Sequence, residues 1–272
     1  MPPFVTFLSD FGAGDQFAGI CHGVINRVCP EAVVIHLGHG IEPQSVGQAA
    51  RILAGAVPYL PVGVHMAVVD PGVGSQRRGV VLRSPDDRLF VGPDNGLLVP
   101  AAEACGGIEL AVELTNRAYM LDQVSHTFHG RDVFSPVAGH LAAGLDPLEL
   151  GPEVDAATLV RPQLLGFERD GTVLGAIVQH IDRFGNVQLS AGRDAVADVF
   201  RAGGVAEVEA LDDRYLAVCA DTFADVQRGE LVLYEDSEQR LSIAINRGDA
   251  AELLDLTAGS PVRIEFAPTI DA

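Results

Sequence analysis

The apolar positions of the first seventy residues alternate between two rhythms. FVTFL at 4–8, AVVIHL at 32–37 and VHMAVVD at 64–70 are short apolar runs with the β-branched content of buried strands. Between them, QFAGICHGVINRV at 16–28 and VGQAARILAGAVPYL at 46–60 place apolar residues three and four apart and stop at Pro30 and Pro61, as helices do. This strand–helix–strand–helix–strand order predicts a parallel sheet with helices on both faces. GVVLRS and RLFVG, with the tight turn Pro93-Asp94-Asn95-Gly96, read as further strands.

The rhythm changes after His140. LAAGLDPLELGPEVDAATLVRPQ is rich in Pro, Gly and acidic residues and only weakly periodic. Beyond it come GTVLGAIVQHI, YLAVCA, ELVLYED, RLSIAIN and SPVRIEF, short runs at the intervals of an all-β barrel or sandwich. The expected organisation is α/β: a doubly wound α/β domain over residues 1–155, a linker over 156–166, and an all-β barrel-like domain over 167–272.

Composition narrows the chemistry. The formal charge of -19 repels phosphate backbones, so no nucleic-acid partner is expected. Every basic residue is arginine, which removes Schiff-base chemistry, a pyridoxal phosphate anchor and the P-loop lysine. Cys21, Cys29, Cys105 and Cys219 form no C-x-x-C pair and read as reduced core residues. No window has the character of a membrane span, and the start MPPFVTFLSDFG has no basic leader, so a cytoplasmic location is expected and no membrane partner.

Ligands of parallel sheets bind beyond the carboxyl ends of the strands. Those ends carry Ser9, Asp10 and Asp15 after the first strand, His39 after the second and Asp70 after the third. Such aspartates also cap turns, and that reading stays open. DFGAGDQFAG misses the G-x-G-x-x-G spacing of a dinucleotide site. Pro71-Gly72-Val73-Gly74 lets the chain turn sharply and carry Arg77 back toward Asp70. SHTFHGRDVF at 125–134 groups His126, His129, Arg131 and Asp132, with His129 the group best suited to proton transfer and Arg131 and Asp132 suited to locking the loop. His36-x-x-His39 and His126-x-x-His129 raise a metal-dependent hydrolase as an alternative, without H-E-x-x-H or a clear facial triad; no metal is expected. Asp182 and Gly185-Asn186 in IDRFGNVQLS mark a hairpin, and Asn246 ends a further strand.

Together SDFGAGDQFAG, HLGHGIEP, VVDPGVGSQRR, VGPDNGLL, TFHGRDVFSPVAGHLAAG, IDRFGNV and LSIAINRG resemble, in this order and across almost the whole chain, the S-adenosyl-L-methionine (SAM) hydroxide adenosyltransferases. These are adenosine-forming hydrolases related to the fluorinase and chlorinase that make 5′-halogenated adenosines. DPGVG-x-x-R with FHGRD is the specific part. The resemblance implies an N-terminal α/β domain, a C-terminal β-barrel, and a homotrimer with sites between subunits. It implies a catalytic triad of Asp70, Arg77 and His129, with Asp10 on the ribose hydroxyls. It also implies Asp15, Asp182 and Ser237 at the methionine end, Asn186 facing the adenine, and SAM as substrate without a cofactor. The chain departs from the family pattern at His36, often acidic, at Gln188, Leu189 and Ser190, where a Thr-Asn pair is usual, and at Glu238, where halogenating relatives carry arginine.

The chemistry suits such a triad. Methionine leaves a sulfonium without needing a proton, so the task is to hold water in line with the C5′–S bond and take its proton. The expectation is that Asp70 and His129 share the water, with His129 the better-matched acceptor, while Arg77 organises them. An ionised Asp70 repels a halide, which favours water over halogenation as the nucleophile. A SAM-dependent 5′-halogenase and a catalytically silent SAM- or nucleoside-binding protein are the alternatives.

Overall fold

β-Branched and aromatic residues at the start of the chain form β1 (Phe4–Ser9), and the expected helices and strands follow: α1 (Phe17–Val28), β2 (Val33–Gly38), α2 (Val46–Ala56) and β3 (Val64–Val68). Then come β4 (Gly79–Arg83), β5 (Leu89–Pro93), α3 (Val99–Ala104), β6 (Leu110–Glu113) and α4 (Ser135–Ala142). This computed structural model describes residues 2–12, 14–162, 166–211 and 213–267. It divides into two compact units, Met1–Gln163 and Leu164–Ala272.

In the first unit the sheet order is β2-β1-β3-β5-β4-β6. β1 runs parallel to β2 and β3, and β3 parallel to β5, but β4 is antiparallel to both β5 and β6. The parallel order read from the first three strands holds for β2-β1-β3, and β4 adds an antiparallel strand to it. Only residues 84–88 join β4 to β5, too few for the crossover that parallel neighbours need. Period-two alternation sends Val5, Phe7, Val64 and Met66 to one face, where they meet α1 and α4. Leu8, Ala67, Val69 and Phe90 go to the other face and meet the layer of α2 and α3. Both faces are thus covered, and the polar residues beyond β1 and β3 are left at one rim.

The linker expected over 156–166 is in large part ordered against this unit. Ala156–Thr158 forms a 3-10 turn capped by Asp155, Leu159 is buried, and the Val160 N–H donates to Asp94 Oδ1 at 2.9 Å. Residues 163–165 of that stretch lie outside the described residues.

The second unit contains β7 (Glu168–Asp170), β8 (Val173–Ile181), β9 (Val187–Gly192), β10 (Val205–Ala210), β11 (Asp213–Cys219), β12 (Leu231–Glu235), β13 (Arg240–Ile245), the short α5 (Ala250–Leu254) and β14 (Pro261–Phe266). Seven strands close into a barrel in the order β14-β10-β11-β12-β13-β9-β8, with β8 pairing back onto β14 and β7 added at the side of β8. Leu174, Val178, Leu189, Ile243 and Ile264 fill it. Closure removes the open edges that a flat sheet of this composition would expose. β10 has no counterpart among the expected strands. VAEVEA carries no large apolar residue, yet Ala206, Val208 and Ala210 point inward and are buried. Among the described residues no helix is long and apolar enough to cross a membrane.

Candidate active site

β1 and β3 are neighbours in register, Ser9 opposite Val68, so Asp10 and Asp70 emerge side by side from adjacent strands. Beyond Asp70 the chain makes consecutive tight turns: Val73 N–H donates to Asp70 O at 3.2 Å and Ser75 N–H to Gly72 O at 3.1 Å. Ser75 Oγ bonds Gly72 O at 2.7 Å and receives the Arg77 N–H at 3.2 Å. These turns reverse the chain and return Arg77 to Asp70. Gly74 is required twice, by a φ of +77° and because a Cβ there would collide with the His126 carbonyl. The same glycine therefore lets the Asp70 loop lie against the loop carrying His129.

Arg77 joins the other two groups. Its Nε donates to Asp70 Oδ1 and Oδ2, both at 2.9 Å, its Nη2 pairs with Asp70 Oδ2, and Nη2 also bonds His129 Nδ1 at 2.8 Å. The guanidinium lies over the Phe134 ring at 5.1 Å. The side chains of Arg77 and Asp70 are 12% and 6% exposed, so this is a shielded pair rather than a surface one. A guanidinium only donates, so His129 Nδ1 must accept and the neutral ring carries its proton on Nε2. In this arrangement the Nδ1 lone pair is taken up by Arg77, and Nε2 is the ring nitrogen left for other partners. Burial first, then the Arg77 charge, holds its imidazole below the usual histidine range, against an opposing pull from Asp70.

His129 is fixed by an unusual local conformation. It precedes a π-helical turn, Gly130–Phe134, that runs directly into α4. Ser135 Oγ bonds Gly130 O at 2.7 Å and closes the turn. Gly130 packs under Phe11, where a Cβ would approach the ring to 2.7 Å. Asp132 is fully buried, accepts from Ser125 N at 2.8 Å and from Arg131 Nε at 2.5 Å, and so locks the preceding loop. Burial opposes its ionisation, but the Arg131 and Ser125 hydrogen bonds outweigh it and hold its carboxyl below the usual carboxylate range.

Asp10, Asp70, Phe11, Gln44, Phe128 and His129 line one cleft of about 310 Å³, at the small end for ligand sites. Asp10 Oδ2 accepts the Gln44 N–H at 2.9 Å. Phe11 and Phe128 stand edge to face at 5.6 Å in its wall. Asp15 is exposed, two residues before α1, and does not line this cleft.

In the second unit, Asp182, Asn186 and Ser237 share a pocket of about 550 Å³ on the barrel. Asp182 organises its own turn: Oδ1 accepts from Phe184 N at 2.8 Å and Asn186 N at 3.0 Å, and Oδ2 from Asn186 Nδ2 at 2.8 Å. This leaves the Asn186 carbonyl oxygen as the end of that side chain free of Asp182. Asn246 Nδ2 bonds Val226 O at 2.8 Å, a structural role. Gln188, one of the departures from the family pattern, lines the same pocket and donates to Asp236 Oδ2 at 2.8 Å and Glu238 Oε2 at 3.1 Å.

The metal alternative finds no support in the histidine pair. His36 Nδ1 bonds His39 Nε2 at 2.6 Å, His36 Nε2 bonds His22 Nδ1 at 2.9 Å, and His39 Nδ1 bonds Ser9 Oγ at 2.7 Å. Both nitrogens of His36 face other histidines, and His39 is shared between His36 and Ser9. Among the described residues no group of three His, Cys, Asp or Glu side chains could hold a metal ion. The strand-end motif VGPDNG supplied two residues that sequence reasoning passed over as a plain turn: Asn95 Nδ2 donates to Val69 O at 2.8 Å, and Asp94 pairs with Arg78.

Residues 5–151 match the SAM hydroxide adenosyltransferase N-terminal domain, and residues 176–263 match the C-terminal domain of the same family. The chain belongs to the SAM hydroxide adenosyltransferase family. It is 46% identical over 264 residues to a (R)-S-adenosyl-L-methionine hydrolase of Salinispora tropica, covering 96% of this chain and 97% of that protein. A fluorinase of Actinopolyspora mzabensis is a more distant relative, 26% identical over 290 residues and covering 96% of this chain and 97% of the fluorinase. Among solved structures, an uncharacterized conserved protein from Thermotoga maritima superposes with a TM-score of 0.89 at 33% identity, covering 96% of this chain and 99% of that one. The adenosyltransferase fold, an α/β unit followed by a closed β-barrel, is the one described above.

Proposed function

We propose that this protein hydrolyses SAM to adenosine and L-methionine, with water attacking C5′ in line with the departing sulfur. The observation that carries the reading is that Asp70 and His129, both bonded to Arg77, line one cleft together with Asp10. The sulfonium leaves as a neutral thioether and takes the C5′–S electron pair with it, so no acid is needed. Water supplies the new C5′–O bond and loses one proton. Arg77 fixes both oxygens of Asp70, whose remaining lone pairs accept a water hydrogen and aim the water oxygen at C5′. Asp70 takes the proton and passes it to solvent. His129 acts as a strut for Arg77 through Nδ1 and as an N–H donor through Nε2.

Asp10 has one oxygen beyond its Gln44 contact for the ribose hydroxyls. Asp15, Ser237 and Asp182 belong to the methionine end in this reading, and Asn186 to the adenine. The Asp182 contribution is limited to lone pairs its turn leaves over. The homotrimer and the cytoplasmic location belong to the same reading; light scattering at three chain masses supports the former, and a monomer refutes it.

The test is product analysis after incubation with SAM, with and without molar chloride. Adenosine in both supports hydrolysis. 5′-Chloro-5′-deoxyadenosine makes the protein a halogenase, and binding without turnover makes it a sensor.

A further inference from the structure

We propose that the Asp94–Asn95 turn is a positioning device for the Asp70–Arg77 pair, holding both ends of the loop on which those two residues stand. The proposal rests on the reading that Asp70 orients the water.

The loop begins after Val69 and ends before Arg78, and each flank is bonded to the same turn at the end of β5. On the Asp70 side, Asn95 Nδ2 donates to the Val69 carbonyl at 2.8 Å. Asn95 Oδ1 accepts the Leu97 N–H at 3.2 Å, which fixes which end of the amide faces Val69. Val69 is fully buried, so its carbonyl has no water to replace that donor. On the Arg77 side, the Asp94 N–H donates to Arg78 O at 2.9 Å, and Arg78 Nε and Nη2 return to Asp94 Oδ2 at 2.9 and 2.6 Å. The Asp94 carboxylate is 4% exposed, and its Oδ1 accepts from Val160 N at 2.9 Å.

Neither Asp94 nor Asn95 belongs to the triad, and neither is needed to complete a strand ladder through its side chain. What their side chains fix is the peptide before Asp70 and the residue after Arg77. A carboxylate that must aim a water at a carbon tolerates little displacement of its backbone, and a shift of about 1 Å costs on the order of a hundredfold in rate.

The discriminating variant is Asn95→Asp. It keeps the size of the side chain and the acceptor for Leu97 N–H, but it replaces the donor to Val69 by an oxygen. At pH 8 two oxygens then face each other, and kcat is expected to fall about a hundredfold with KM altered less than about twofold. As the pH is lowered toward 5, the introduced carboxyl takes up a proton and becomes a donor again, so the deficit relative to the natural protein shrinks. Asn95→Ala has nothing to titrate, and its deficit stays constant with pH. A merely structural contact would not give this difference. Combining Asn95→Asp with Asp70→Asn adds no further loss.

The proposal is overturned if Asn95→Asp keeps kcat within about twofold of the natural protein, if its deficit does not change with pH, or if the change falls on KM. Should that variant fail to accumulate folded, Asp94→Asn reads the other flank: kcat lowered about tenfold at constant KM supports the clamp, and an unchanged kcat overturns it. Asp70→Asn separates the two layers. If it retains kcat, the water-orienting reading fails; if it is inactive while Asn95→Asp is not, only the clamp fails.

Discussion

Replacing His129 by asparagine distinguishes a strut from a base. In the structure Arg77 Nη2 donates to His129 Nδ1 at 2.8 Å, so the ring presents an acceptor to the guanidinium and a donor at Nε2. The asparagine Oδ1 stands the same number of bonds from the backbone as Nδ1 and can take the Arg77 hydrogen bond. What is lost is the Nε2–H donor, one hydrogen bond worth about 0.5–1.5 kcal/mol. This corresponds to roughly a two- to tenfold fall in the rate of adenosine formation. Removing a general base costs about 10²–10⁴-fold. His129→Leu removes the acceptor as well and leaves an Arg77 N–H unpaired in a shielded place, so it is expected to be slower than His129→Asn and less stable by about 1–3 kcal/mol. The assay is steady-state adenosine formation by chromatography from pH 6 to 9, with a thermal melt for each variant. The natural protein and His129→Asn should share the shape of their pH profiles. A loss of about a hundredfold or more in His129→Asn, together with disappearance of an acid limb, refutes the strut and makes His129 the base.

Three further outcomes follow from the same geometry. Arg77→Ala leaves the Asp70 carboxylate, 6% exposed, without its partner; it should lose about 3–5 kcal/mol of stability in denaturant titration and abolish turnover, while an unchanged midpoint and rate contradict the assigned role. Acidification should destabilise the first unit through His65, which is fully buried, bonds Thr6 Oγ1 through Nδ1 and is pushed down to about 4 by burial first and the Arg88 charge second. The unfolded chain binds this proton near 6.5 and the folded one near 4, so the contribution is complete above about pH 6.5 and is lost as the pH falls toward 4, in all about 3 kcal/mol; melts of His65→Gln should show a shallower decline, and an identical decline contradicts the assignment. Dialysis against a strong chelator should leave adenosine formation unchanged, and a loss restored by one added divalent metal contradicts the metal-free mechanism.

Much of the fold was legible because burial writes a period into each segment. The runs at 4–8, 32–37 and 64–70 became β1, β2 and β3 almost to the residue. Strand direction is another matter, because an antiparallel strand buried on both faces carries the same apolar run as a parallel one; the run of β4 marked a strand but left its direction open, and the pairing with β5 and β6 supplies it. β10 was hidden because its inward positions are two alanines and a valine. At the site, Asp70 and Arg77 could be paired from sequence because Pro71, Gly72 and Gly74, among the six residues between them, imply a tight reversal. His129 lies 52 residues from Arg77, and spacing says nothing of that contact; its chemistry within SHTFHGRDVF marked it as a candidate, while its grouping with Asp70 and Arg77 rested on family resemblance. The proton position on His129 and the engagement of Asp182 with its own turn depend on which atoms meet, which no residue pattern encodes. The Asp94–Asn95 clamp was missed for a related reason: turn residues satisfy their own backbone so often that a tertiary role leaves no separate mark.

The central claim, that water is the group transferred to C5′, is tested most directly by turnover of SAM in ¹⁸O-labelled water with mass analysis of both products. The account predicts one heavy oxygen in adenosine, at the 5′ position, and none in methionine from the reaction itself. Adenosine without the label, or label delivered to the methionine fragment, would contradict it.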